Sequence, residues 1–79
     1  MLDLGDTLQN WIKQHRLSQN LTQEDLARRA GVSRQSIISI ERGRYVPSLP
    51  LALRLAHIFR CPVEDLFRLD DGEPETTDV

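Results

Sequence analysis

Residues 21–44 read LTQEDLARRAGVSRQSIISIERGR, and the punctuation inside this stretch decides the fold. Thr22 is followed three residues later by Asp25. A hydroxyl and a carboxylate at that spacing satisfy two orphan amides reciprocally, so a helix begins here. It turns Leu26, Ala27 and Ala30 inward and stops at Gly31. Ser33 is placed to cap a second helix, residues 34–42, which Gly43 ends. Two helices joined by a turn of about three residues with a glycine cross at roughly 90–120° instead of lying antiparallel. So close a crossing needs a small residue within the first helix and a turn residue free to take positive φ; Ala27 and Gly31 supply them. It also needs apolar residues toward a shared core, and Leu26, Ala30, Val32, Ile37 and Ile40 fall at those places.

On the N-terminal side, Leu8, Trp11, Ile12 and His15 recur at i, i+3, i+4 and i+7. That period predicts an amphipathic helix over residues 6–18, capped by Asp6 or Thr7. Asn20 stands where a left-handed residue is wanted, a tolerable substitute for glycine. On the C-terminal side, Ser48, two residues ahead of Pro50, predicts the cap of a helix whose apolar positions are Leu51, Leu55, Ile58 and Phe59, with Ala52 between them. Pro62 opens a short fifth helix over residues 63–67. No segment alternates with period 2 between turn signals, so no strand is assigned. The expected class is all-α, five short helices in one domain over residues 1–69.

Hydrophobic residues at 39% and charged residues at 28% of 79 suit a globular domain, not a disordered chain. The longest uncharged run, residues 45–53, contains two prolines and falls far short of the roughly 20 apolar residues a membrane helix needs. The acidic start MLDLGD lacks an apolar signal core, so a cytoplasmic location is expected. Cys61 is the only cysteine, which leaves no intramolecular disulfide and no cysteine-based zinc site. The net charge of −2 is unevenly spread. Residues 70–79, DDGEPETTDV, hold five of the twelve acids and no base, which leaves ten bases against seven acids, a net of +3, in residues 1–69. Within residues 28–44, Arg28, Arg29, Arg34, Arg42 and Arg44 are opposed only by Glu41. Nine of the ten bases are arginine, the side chain that forks onto phosphates and guanines. A solvated helical face would carry the same arginines, so charge alone does not choose between the two. The composition of residues 70–79 predicts an acidic, disordered tail.

Residues 21–44 resemble the core motif of the helix-turn-helix domain of phage repressor and Cro proteins and of bacterial xenobiotic-response-element-type (Cro/C1-type, XRE family) transcriptional regulators. The likeness continues through YVPSLPLALRLAHIF and the closing CPVEDLF, and so covers roughly residues 7–67. Arg60 departs from it, standing where relatives usually place a glycine, and so does Pro62, where many have a Ser or Thr cap. The resemblance implies a lambda-repressor-like, five-helix DNA-binding domain whose helix over residues 34–42 enters the major groove of double-stranded DNA. It implies base contacts for Arg34, Gln35 and Ser39, and phosphate-contact or orienting roles for Gln23, Ser33 and Ser36. The chemistry agrees, since Arg forks onto guanine O6 and N7 and Gln pairs with adenine N6 and N7. Ile38, on the side away from the core, either touches a thymine methyl or packs along the edge of a neighbouring helix. Arg42, Arg44 and the Tyr45 hydroxyl lie just past the helix end, where phosphate contacts would fix register without reading sequence. The resemblance also implies that Arg16 pairs with Glu41 beneath the DNA surface.

One such helix reads only a few base pairs, so two half-sites about one DNA turn apart are expected. The apolar residues left once the core is filled lie late in the chain. A two-fold homodimer is therefore expected through Val63, Leu66, Phe67 and Leu69, with a short strand after Phe67 left open. The expected function is repression from a pseudo-palindromic operator in the nucleoid. His15 and His57 are the only histidines, and no nearby carboxylate or hydroxyl suggests a triad or a metal site, so no enzyme, metal or cofactor is expected. His15 reads as a core-rim histidine and Cys61 as a small buried hydrophobe. The alternative is an antitoxin or restriction-modification controller of the same family, which would also bind a protein partner such as a toxin.

Overall fold

In the computed structural model, which describes residues 8–69, a three-residue strand, β1 (Leu8–Asn10), leads into α1 (Ile12–Ser18). The helices α2 (Gln23–Ala30), α3 (Arg34–Glu41) and α4 (Leu49–Phe59) follow, then one 3₁₀ turn (Val63–Asp65) and a second strand, β2 (Phe67–Leu69). The strands pair antiparallel, with Leu8 opposite Leu69 and Asn10 opposite Phe67. The two ends of the described chain therefore close on each other.

The architecture is that of the expected helical domain, with corrections at both ends. Leu8 lies in β1, not on the first helix, which begins only at Ile12. Residues 63–67 make a single 3₁₀ turn and then extend, so the described residues hold four α-helices where five were expected. Alternation becomes visible over 4–8 residues, and a three-residue strand is too short to show it. The expected caps Asp6 and Thr7 lie outside the described residues, as does the expected tail over residues 70–79. Asn10 serves the start of α1 instead, its Oδ1 accepting from the Ile12 N–H at 3.2 Å.

Inside these ends the punctuation acts as the residues dictate. The Thr22 hydroxyl accepts from the Asp25 N–H at 2.9 Å, and the Asp25 carboxylate accepts from the Thr22 N–H at 3.0 Å. Ser33 and Ser48 cap α3 and α4 in the same one-sided way, through Ser36 N–H and Leu51 N–H. Gly31 at φ 74° lets the Val32 N–H reach back to the Ala27 carbonyl, which closes α2. Asn20 and Arg60 take the same left-handed conformation at φ 59° and 57° without being glycine.

The core gathers side chains from all four α-helices and from Leu66, just ahead of β2. Ile12, Leu26, Ile37, Ile40, Leu55 and Leu66 are all at most 1% exposed. Burying each of these contributes about 1.5–3 kcal/mol. Ala27 and Ala30 line the contact between α2 and its neighbours, where longer side chains would hold the helices apart. Leu66 corrects the expected dimer surface: at 0% exposure it fills the core of its own chain, and its carbonyl accepts from the Trp11 N–H at 2.9 Å. Val63 and Phe67 pack half-buried against the same core, and of the four only Leu69 stands exposed. His15 sits at the core rim, its ring 5.6 Å from that of Phe59.

Candidate nucleic-acid interface

The position of α3 follows from its inward period. Ile37 and Ile40 are buried, which turns Arg34 and Gln35 outward in the first turn and leaves Ile38 and Ser39 half-buried on the flanks. Arg34 and Gln35 are exposed, and among the described residues neither side chain has a hydrogen-bond partner. Ser33 and Ser36 share a hydrogen bond between their hydroxyls at 3.0 Å at the head of the helix. Around this head lie two hollows. One is an open cleft of about 710 Å³ between α1 and α3, where Ile38 and Leu17 are flanked by Lys13, Gln23, Arg34 and Arg42. Ile38 is half-buried in the wall of this cleft. The other, about 280 Å³, brings Tyr45 beside Gln35 and Ser39. The loop after α3 thus returns its phenol to the same face as the outward side chains. Arg42 and Arg44 are exposed past the helix end, and Gly43 between them takes φ 75° so that the Arg44 N–H can bond the Ser39 carbonyl at 2.9 Å.

Beneath this face the helix is tied down. Arg16 Nε donates to Glu41 Oε2 at 2.7 Å and Arg16 Nη2 to Glu41 Oε1 at 3.3 Å, with the two side chains 9% and 5% exposed. A third guanidinium donor, Nη1, reaches the Leu21 carbonyl at 2.9 Å. Gln23 Nε2 donates to the same Glu41 carboxylate at 3.2 Å. The charges are therefore paired and further hydrogen-bonded, which is the condition for tolerating a buried ion pair. This gives Gln23 a place under α3 as well as at the cleft edge. The Glu41 carboxylate thus joins α1, the start of α2 and the end of α3, while the Arg16 guanidinium also holds the turn before α2.

Two further long-range ties join the one made by Gln23. Asn10 Nδ2 donates to the Ile40 carbonyl at 2.9 Å, adding a second bond to an acceptor that the Gly43 N–H also reaches at 2.9 Å and tying β1 to the end of α3. Arg54 of α4 donates through Nη1 to the Ala30 carbonyl at 2.8 Å, which secures the end of α2 just before Gly31. The only local signal for Asn10 is a polar residue ahead of an apolar helix start. Nothing in the neighbourhood of Arg54 marks it.

Two groups have shifted pKa values. Asp25 is held below the usual carboxylate range, first by the Thr22 N–H, then by the Thr22 hydroxyl, and further by Arg28 and Arg29. Burial pushes the Cys61 thiol up, and the nearby Asp65 adds to it, which keeps the sulfur protonated and poorly nucleophilic. Cys61 is only partly buried, less enclosed than its expected core role. Among the described residues no cluster of three His, Cys, Asp or Glu is placed to hold a metal ion. No helix among them is long and apolar enough to cross a membrane.

Residues 12–66 match the Helix-turn-helix family model. An uncharacterised HTH-type transcriptional regulator of Methanocaldococcus jannaschii is 52% identical over 66 residues, which is 84% of this chain and the whole of that one. A restriction-modification controller protein from Aeromonas hydrophila, known by its crystal structure, is similar at 30% identity and a TM-score of 0.64, over 68% of this chain and 82% of its own. The SOS-response repressor LexA from Eubacterium rectale shares the fold, with a TM-score of 0.68 at 22% identity over 86% of this chain and 72% of its own.

Proposed function

The chain belongs to the Cro/C1-type helix-turn-helix family of transcriptional regulators, and we propose that it is a repressor that binds a pseudo-palindromic operator as a homodimer, with α3 in the major groove. Its fold and relatives are those of DNA-binding regulators, which are not enzymes. The observation that carries the reading is the asymmetry of α3, whose C-terminal end is bonded to three other segments while Arg34 and Gln35 stand exposed at its head, without a partner among the described residues. Donors and acceptors left open on a rigid helix suit the base edges of a major groove. In this reading Arg34, Gln35 and Ser39 read bases, and Ile38 lies close enough to the flank to meet a thymine methyl. Gln23, Ser33, Ser36, Arg42, Arg44 and Tyr45 hold phosphates on either side. A dimer parked on a promoter in the cytoplasm excludes polymerase without any cofactor or further machinery.

Selection from random duplexes tests this. The expected product is a pseudo-palindrome with half-sites about 10 base pairs apart, centre to centre. Recovery of unrelated sequences bound with equal affinity would sink it. The likeness to a restriction-modification controller supports a second reading, in which the regulated genes encode a nuclease and its modifying enzyme. Mapping the selected site to the front of such genes would favour that version.

A further inference from the structure

Five acids and no base stand in residues 70–79, DDGEPETTDV, which follow directly on β2. That strand ends at Leu69, opposite Leu8. Leu8 in turn lines a small groove together with Gly43, Tyr45 and Val46 of the loop after α3. Gly43 lies between the exposed Arg42 and Arg44, so the acidic segment sets out beside the end of α3. Extended, ten residues reach about 33 Å. The helix α3, eight residues at a rise of about 1.5 Å, is roughly 12 Å long. The reach from Leu69 therefore covers the whole of α3, from Arg44 back to Arg34.

The cations along that helix are open. Among the described residues, Arg16, Arg28 and Arg54 commit their guanidinium donors to Glu41, Asp25 and the Ala30 carbonyl. The side chains of Lys13, Arg34, Arg42 and Arg44 make no hydrogen bond or ion pair within the same residues, and the first three line the cleft between α1 and α3. The carboxylate in that cleft, Glu41, is 5% exposed and already bound by Arg16 and Gln23, so it does not neutralise them. We propose that residues 70–79 dock on this face of their own chain, with carboxylates on Arg34, Arg42, Arg44 and Lys13, and so occupy the places that phosphates take in the operator-binding reading, on which the inference rests. Tethering raises the local concentration to about millimolar, which lets exposed ion pairs too weak to hold a free peptide form within one chain. A duplex of any sequence displaces the segment with its own phosphates. The segment therefore lowers affinity for selected and random duplexes by one common factor and leaves base preference as it is.

Two measurements on the full-length chain test this. In the first, Thr77→Cys in a Cys61→Ser background carries a nitroxide, and amide spectra are recorded without DNA, after circular dichroism has shown the protein folded. The expected result is broadening of residues 34–36 and 42–45 at low salt that disappears by about 0.5 M salt, where exposed charges are screened. In the second, Asp70→Asn, Asp71→Asn, Glu73→Gln, Glu75→Gln and Asp78→Asn are combined. This variant should bind selected and random duplexes about tenfold more tightly at low salt, as two or three exposed ion pairs would give, and the gap should close as salt rises. Absence of broadening overturns the docking, as does broadening centred on Arg60 or Arg68. Broadening that appears only on unlabelled molecules mixed with labelled ones also overturns it, by making a second copy's segment the occupant. Tighter duplex binding by the neutralised variant without that broadening overturns it too, since the acids then act at a distance. If the broadening is seen and is lost on neutralising the acids, but neither protein binds any duplex, the docking stands and the repressor reading falls.

Discussion

The two ends of α3 are held in opposite ways. At the C-terminal end, Glu41 accepts from Arg16 and Gln23, and the Ile40 carbonyl accepts from Asn10, so three segments distant in sequence converge there. At the N-terminal end, Ser33 and Ser36 bond each other within one turn, and Arg34 and Gln35 are exposed. The difference separates placement from reading. A helix anchored at one end needs little ordering of its backbone when it binds, and only the outward side chains lose rotamer freedom. The open donors at the head cost nothing in water, whereas an open donor at the buried end would cost the full desolvation penalty.

The sharpest way to break this comparison is to remove the anchor. Arg16→Ala or Glu41→Ala leaves one buried charge uncompensated, and each is expected to lower folding stability by about 3–5 kcal/mol, measured by urea unfolding. Replacing both together with Met and Leu, of similar volume, is expected to be nearly neutral, because the desolvation cost of both charges disappears with their attraction. A single substitution costing less than about 1 kcal/mol would show that the end of α3 is held by packing alone.

The reading end is expected to respond in binding and not in stability. Arg34→Ala should leave the unfolding midpoint nearly unchanged and cost about 1–3 kcal/mol on the selected operator, with relaxed preference at one base position per half-site. Arg44→Ala should weaken selected and random duplexes alike. It should also flatten the salt dependence by about 2 in log–log slope for a dimer, one phosphate contact being lost per subunit. The same uniform loss from both variants, in duplex titrations at several salt concentrations, would erase the division between reading and holding.

What was legible in the sequence divides by the distance between partners. Thr22 with Asp25, Ser33 with Ser36 and Ser48 with Leu51 are caps whose donor and acceptor lie three residues apart, so residue type and spacing suffice to see them. The outward set of α3 follows from Ile37 and Ile40 by helical period alone. Asn10 with Ile40, Gln23 with Glu41 and Arg54 with Ala30 are 30, 18 and 24 residues apart, and no local pattern announces them. Leu66 misled for a related reason. Apolar residues near the end of a helical pattern look surplus until the core volume they fill is known, and here the chain turns Leu66 under α1 before pairing β2 with β1. Arg60 shows the reverse case, since a left-handed position that favours glycine is held by an arginine once α4 and the turn after it fix the backbone.

The smallest expected effect concerns the first turn of α2, which carries Gln23 to Glu41 and so supports the anchored end from outside. Its capping box depends on an ionised Asp25, whose carboxyl is held below the usual range chiefly by the Thr22 N–H and hydroxyl. A depressed folded-state pKa contributes stability that is fully present above the unfolded value of about 3.9 and is lost as pH falls through the folded value. Between neutral pH and about pH 5 the box should therefore add a constant increment, and below about pH 4 it should fade. Asp25→Asn retains an oxygen for the Thr22 N–H but loses the charge, so thermal midpoints of the variant should fall less steeply than the unmodified protein's over that acid range. Asp25 is only half-buried, and solvent screening keeps the difference small. Identical acid profiles for the two proteins would mean that the hydrogen bond, and not the charge, holds this turn, and that the anchor beneath α3 owes nothing to the ionisation of its outer support.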